Sequence, residues 1–207
     1  MQMILLCTRV HRPQAPIGVI LAGGLGRRIG GAKATVELRG RPLISYPLQV
    51  LREALADVVI LAKADTELGS VGAVPVWIEP DAPRHPLAGI VHALGLAAGR
   101  GVLVCAADMP FVTAALVNRI ALADPRGAPA VVPTCAGELQ PLLALYLPAA
   151  AAALDHGAAV AGRPLRREIA AIGPRLLEVE DLGAFFNVNT PEDLTRAAAR
   201  LDGTNRR

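Results

Sequence analysis

Ile17-Gly-Val-Ile-Leu-Ala-Gly-Gly-Leu-Gly-Arg-Arg-Ile-Gly-Gly-Ala-Lys33 is the stretch on which the fold turns. It opens as a short, continuous apolar run, the pattern of a parallel strand buried on both faces, and then breaks into glycines. Glycine lets main-chain N–H groups come close to phosphate oxygens and tolerates positive φ. Arg27, Arg28 and Lys33 place three cations on the same loop, and guanidinium and ammonium groups match phosphate in charge and geometry. A P-loop needs GxxxxGK[ST]; here Ala32 separates Gly31 from Lys33 and Ala34 follows, so the letters exclude it. A dinucleotide loop would use Gly24, Gly26 and Gly30, but their spacing is GxGxxxG. The next apolar run, Val58 to Ala62, ends on Lys63 and not on an acid for a ribose hydroxyl. Triphosphate binding is the reading that the cations favour over a plain solvated glycine turn.

Working outward, Leu38-Arg-Gly-Arg-Pro42 turns the chain, and Leu43 to Ala56 has helical periodicity. Val58–Ala62 reads as a second buried strand and Val74–Ile78 as a third, which Pro75 places near a sheet edge. Pro86 to Ala98 reads as a helix, Gly101 to Ala107 as a fourth strand ending on Asp108, and Thr113 as the N-cap of a helix running to Ala123. Ala130–Pro133 and Leu142–Tyr146 follow as strands, and 149–154, 164–171 and 191–201 as helices. Thr190-Pro-Glu-Asp193 is a helix start: a capping threonine, proline in the first turn, and acids at the positive end of the dipole. Alternating strands and helices imply an α/β fold, Rossmann-like and three-layered, with a mainly parallel central sheet. Residues 1–15 read as a flexible leader and 16–203 as one domain.

Composition narrows the function classes. Lys+Arg number 21 against 18 Asp+Glu, a mild excess that suits an anionic small molecule. There is no cluster of Lys/Arg with aromatic platforms, so no nucleic-acid partner is expected. The apolar start, Met1–Leu6, is cut short by Cys7, Arg9, His11 and Arg12, unlike a signal peptide, and no run approaches a membrane span. Cys7, Cys105 and Cys135 are widely spaced with no CxxC, so neither disulfides nor zinc are indicated, and free thiols fit a reducing cytoplasm.

In an open α/β sheet, ligands bind beyond the carboxyl ends of the strands. The glycine loop stands there, and so does Asp108 before Met109-Pro110. A carboxylate in that place can hold Mg²⁺ against phosphate oxygens, since Mg²⁺ takes hard oxygen ligands and keeps several waters. Alone, Asp108 is equally a turn residue; beside a phosphate loop, the metal reading leads. Asn187 and Asn189 flank Val188 in a strand-like segment and so share a face. Their amides suit either ligand binding or the turn before the last helix. His85, beside Pro86-Leu-Ala-Gly89, could face the site, while Trp77 reads as core.

Taken together, LAGGLGRRIGGAK at 21–33, Arg39-Gly-Arg-Pro-Leu43, Pro86-Leu-Ala-Gly89, Ala107-Asp-Met-Pro-Phe111, Gln140-Pro-Leu-Leu-Ala-Leu-Tyr146 and Phe186-Asn-Val-Asn-Thr-Pro-Glu-Asp-Leu194 resemble the motifs of the molybdenum cofactor guanylyltransferase (MobA) family, within the MobA-like NTP transferase superfamily. The likeness spans about residues 17–200, and the NVNTPEDL ending is its most specific part. The family often has Asp before the loop lysine; here Ala32 stands there and the loop is one residue shorter.

The resemblance implies a cytoplasmic, Mg²⁺-dependent transfer of GMP from GTP to the terminal phosphate of molybdopterin. It implies catalytic roles for Arg28, Lys33 and Asp108, with Asp108 on the metal. It implies nucleotide contacts from Leu21, Ala22, Gly23, Gly24, Gly26, Arg28, Lys33, Asp81, Leu87, Gly89 and Asp108. Asn187 and Asn189 would meet molybdopterin, and molybdoenzyme maturation proteins would be partners. Two rivals stand beside this reading: a cytidylyltransferase acting on molybdopterin or another phosphorylated small molecule, and a non-catalytic nucleotide-binding protein that delivers cofactor.

Overall fold

The apolar run after Pro16 becomes β1 (Ile17–Leu21), the middle of the sheet. The computed structural model describes residues 15–23, 35–158 and 163–204. The leader expected at 1–15 therefore lies outside the described residues, apart from Ala15. After β1 come the short strands β2 (Glu37–Leu38) and β3 (Arg41–Pro42), α1 (Ser45–Ala54), β4 (Val58–Lys63), β5 (Val76–Glu79), α2 (Pro86–Leu96), β6 (Val102–Ala106) and α3 (Ala114–Ala121). Then follow β7 (Ala130–Cys135), β8 (Glu138–Leu139), β9 (Leu143–Tyr146), α4 (Pro148–Ala158), α5 (Leu165–Ala171), β10 (Arg175–Glu178), a 3₁₀ turn at Leu182–Phe185, and α6 (Pro191–Thr204).

The main sheet runs β10-β7-β9-β6-β1-β4-β5, with β8 attached to β7. Alternation along the strands sends residues to two cores. Ile20, Ile60, Leu103 and Cys105 pack under α1 and α3, while Val19, Leu61, Val104 and Tyr146 pack under α2, α4 and α5. Gly18 lets α1 lie close on β1: a Cβ there would stand 2.9 Å from a methyl of Leu55. A third, smaller core joins the β2–β3 hairpin to α6 through Leu38, Leu43, Val188 and Ala197.

The expected helices are all present, and β5 is the edge strand that Pro75 suggested. β1 pairs in parallel with β4 and β6, β4 with β5, and β7 with β10, but β9 runs antiparallel to both β6 and β7. The sheet is thus mixed around a parallel core. The reason is chain length: residues 136–142, between β7 and β9, are too few for a helical crossover, so the chain returns as a hairpin arm through β8. The strand expected around Asn187 and Asn189 does not form. The N–H groups of Asn189 and Thr190 bond the Asp193 carboxylate, and that of Val188 bonds the Asp108 carbonyl, so no sheet partner receives them.

Candidate active site

The carboxyl ends of β5, β4, β1 and β6 open into one cavity of about 240 Å³. β1 supplies Leu21 and the residues after it, Ala22 and Gly23; β4 supplies Lys63, β5 supplies Glu79, and β6 leads into Ala107 and Asp108. The start of α2 closes the side with Arg84, His85, Pro86 and Gly89. These are the positions where parallel strands stop and their side chains point past the sheet edge.

His85 caps α2: its Nδ1 accepts from the Leu87 N–H at 3.2 Å, and Pro86 occupies the first turn. This fixes Gly89 on the first turns of α2, against the cavity. Arg84 is held from outside by Asp65 at 2.7 Å, and the Arg84 guanidinium lowers the exposed Asp65 carboxyl from its ordinary range.

Glu79 and Lys63 form a buried ion pair on the cavity wall. Lys63 Nζ stands 3.4 Å from Glu79 Oε1 and donates to the Pro80 carbonyl at 2.5 Å. Their side chains are 2% and 10% exposed, so the pair is shielded from water. The Glu79 carboxylate fits between two glycines. A Cβ on Gly89 would stand 3.1 Å from Oε2, and one on Gly23 would collide with Oε1.

Asp108 is 8% exposed, at the far side of the cavity from Glu79 in strand order. The Val188 N–H donates to its main-chain carbonyl at 2.9 Å, which fastens residues 187–189 beside it. Asn187 donates through Nδ2 to the Phe185 carbonyl at 3.0 Å, and its Oδ1 is buried without a hydrogen bond. Phe111 and Phe186 pack ring to ring at 5.9 Å beneath this segment, with Arg200 and Arg196 over their faces. Cys105, in the strand before Asp108, is fully buried. Burial, and secondarily the Asp108 charge, push its thiol well above the ordinary range, so it is a core residue and not a nucleophile.

Leu21, Ala22, Gly23, Gly89 and Asp108, all expected from sequence, line this cavity. Gly24, Gly26, Arg28 and Lys33 lie outside the described residues. Asp81 is exposed and does not line the cavity, because β5 runs one residue further than its apolar letters suggest and ends on Glu79. The side chain of Leu87 turns into the core under α2, and only its N–H is engaged near the site, with His85. Asn187 is half-buried and Asn189 exposed. Sequence reading missed Lys63 and Glu79. Lys63 carried a signal, a charged residue ending an apolar strand, as Asp108 follows the end of β6; for Glu79 the letters leave the choice with Asp81 open.

The MobA-like NTP transferase domain model matches residues 18–175. The chain belongs to the MobA-like NTP transferase family. Its relatives include the molybdenum cofactor guanylyltransferase of Cereibacter sphaeroides, 36% identical over 188 residues that cover 89% of this chain and 96% of that protein. The molybdenum cofactor guanylyltransferase of Rhodobacter capsulatus is 38% identical over 192 residues, covering 89% and 95%. Among solved structures, molybdopterin-guanine dinucleotide biosynthesis protein A from Archaeoglobus fulgidus superposes with a TM-score of 0.74 at 26% identity, covering 90% of this chain and 99% of that one. In this MobA-like frame, the motif segments meet at one place. The PLAG segment opens α2, the ADMP segment ends β6, and the NVNTPEDL segment enters α6 beside Asp108.

Proposed function

We infer that this protein is a molybdenum cofactor guanylyltransferase, which moves GMP from GTP onto the terminal phosphate of molybdopterin and releases pyrophosphate. The observation that carries the reading is the single cavity across four strand ends. It sets an acidic and lysine-paired wall at β5 and β4 against Asp108 after β6, with β1, which the glycine motif follows in sequence, between them. Near-full-length kinship to molybdenum cofactor guanylyltransferases supports the same acceptor and the same base.

A terminal phosphate oxygen of the acceptor forms a bond to the α-phosphorus of GTP, and the bridging α–β P–O bond breaks as pyrophosphate leaves. The attacking oxygen is already anionic, so no side chain has to remove a proton. What remains for the protein is positioning and charge neutralisation. Arg28 and Lys33 serve the phosphates, and main-chain groups of Ala22, Gly23, Gly24 and Gly26 shape the cradle.

The residues present fit Mg²⁺. Asp108 offers a buried carboxylate, and the orphaned Oδ1 of Asn187, on the segment fastened to Asp108, offers a second hard oxygen for the ion or its water shell. When bound, Mg²⁺ would neutralise charge on the phosphate oxygens. Among the described residues there is no cluster of three or more metal-ligating side chains, which suits an ion that draws most of its ligands from substrate and water. Asn189, exposed at the entry to α6, remains the residue for molybdopterin. The reading places the protein in the cytoplasm, with molybdoenzyme maturation proteins as recipients of its product. Among the described residues no helix is long and apolar enough to cross a membrane.

The test is pyrophosphate release with Mg²⁺ and molybdopterin, comparing GTP, CTP, ATP and UTP. Release with GTP alone supports the reading. Release with CTP alone moves the protein to cytidylyl transfer, and nucleotide binding without release makes it a carrier.

A further inference from the structure

The buried Lys63–Glu79 pair has no part in the phosphate chemistry above. A carboxylate next to a triphosphate would repel it, so Glu79 belongs at the other end of the nucleotide. The strand order β5-β4-β1-β6 sets that direction. With neighbouring strands about 4.8 Å apart, the ends of β5 and β6 are separated by roughly 14 Å. A nucleotide laid across the strand ends with its phosphates at β1 and β6 therefore brings its base towards β4 and β5.

A carboxylate only accepts hydrogen bonds. Guanine is the base that presents two adjacent donors on one edge, N1–H and the 2-amino group. Adenine and cytosine present an acceptor beside a donor, and uracil a single N–H between carbonyls. The Glu79 carboxylate lines the cavity wall, in the space that Gly23 and Gly89 leave by having no side chain.

What fixes its direction is Lys63. One amino group binds both the Glu79 carboxylate and the next carbonyl, that of Pro80, so it holds side chain and main chain of the β5 end together. We propose that Lys63 is the positioning residue for guanine selection: it aims the Glu79 carboxylate so that Glu79 accepts from the N1–H and 2-amino edge of the base. This assignment rests on the guanylyltransferase reading. A ribose diol also presents two donors, but it is common to every ribonucleotide and would give no preference among bases.

The discriminating probe is inosine triphosphate, which differs from GTP only by lacking the 2-amino group. Equilibrium binding and steady-state turnover are measured with GTP and ITP for the full-length wild type, Lys63→Met, Lys63→Arg and Glu79→Gln, each first checked for a cooperative thermal melt. Wild type is expected to prefer GTP about tenfold or more in Kd and KM. Glu79→Gln and Lys63→Met are expected to bring that ratio close to one, raising the KM for GTP while kcat changes little. Lys63→Arg, which keeps a cationic donor, is expected to retain most of the preference. If Lys63→Met does not fold, Lys63→Gln, with an amide donor, is read in its place. A folded Lys63→Met protein (or Lys63→Gln in its place) with an unchanged GTP/ITP ratio, or a wild type with no GTP preference, overturns the assignment. A wild type that prefers GTP in binding but transfers neither nucleotide contradicts the guanylyltransferase reading and leaves the role of Lys63 standing.

Discussion

The main-chain N–H of Val188 donates to the carbonyl oxygen of Asp108 at 2.9 Å, joining the residues that follow β6 to the segment that enters α6. This contact ties the residue after Asn187 to the main chain of the proposed metal ligand, although the two are far apart in sequence.

Asp108→Ala removes that carboxylate from the cavity while the core around it remains. We expect kcat to fall by about 10²-fold or more with the melting temperature nearly unchanged. Asn187→Ala should give a smaller loss in kcat and a shift towards higher Mg²⁺ demand. Steady-state rates across a Mg²⁺ titration check both; wild-type turnover in Asp108→Ala would remove the metal role.

Gly89→Ala tests the fit between α2 and β5. Its Cβ would stand 3.1 Å from Glu79 Oε2, tighter than ordinary contact, so the carboxylate must shift. Helix propensity favours alanine over glycine by roughly 0.8–1 kcal/mol, so the fold should not suffer. The expected outcome is a raised KM for GTP in a protein that melts no lower than wild type.

Alkaline stability should report two buried groups. Burial raises both the Cys105 thiol and the Tyr146 phenol, whose OH donates to the Pro141 carbonyl at 2.8 Å. In the unfolded chain these groups titrate at about 8.5 and 10. The unfolded state therefore loses protons first, and stability present below about pH 8.5 declines as pH rises. The slope is about 1.4 kcal/mol per pH unit for each group past its unfolded value. Denaturant melts from about pH 7 to 10 check this, and Cys105→Ala should flatten the first part of the decline.

The entry to α6 is a reciprocal cap: the Asp193 N–H donates to Thr190 Oγ1, and the Asp193 carboxylate accepts from Asn189 and Thr190, each at 3.1 Å. Thr190→Ala should cost about 1 kcal/mol. Because the same cap orients Asn189, the KM for molybdopterin should rise more than that for GTP. Equal changes in both would detach Asn189 from the acceptor.

Much of this was legible in the sequence because the central strands are continuous apolar runs, which leave little choice but burial. The antiparallel course of β9 was not read, because periodicity says nothing of direction, although the seven residues between Cys135 and Leu143 are too few for a parallel crossover. β10 was not legible: its two leucines sit side by side between Arg175 and Glu178, in four residues none of which is buried, too short and too polar to stand out. Asp108 could be found because it follows an apolar strand in a motif-bearing segment. Glu79 could not be told from Asp81 by letters, because the choice depends on where β5 stops, and pairing with β4 through Lys63 decides that.

The most direct test of the account follows the phosphorus atoms of GTP. The protein is incubated with Mg²⁺, molybdopterin and GTP labelled at either the α- or the γ-phosphate. The account predicts α-label in a molybdopterin guanine dinucleotide and γ-label in pyrophosphate. γ-Label on molybdopterin, or neither label leaving GTP, would contradict it.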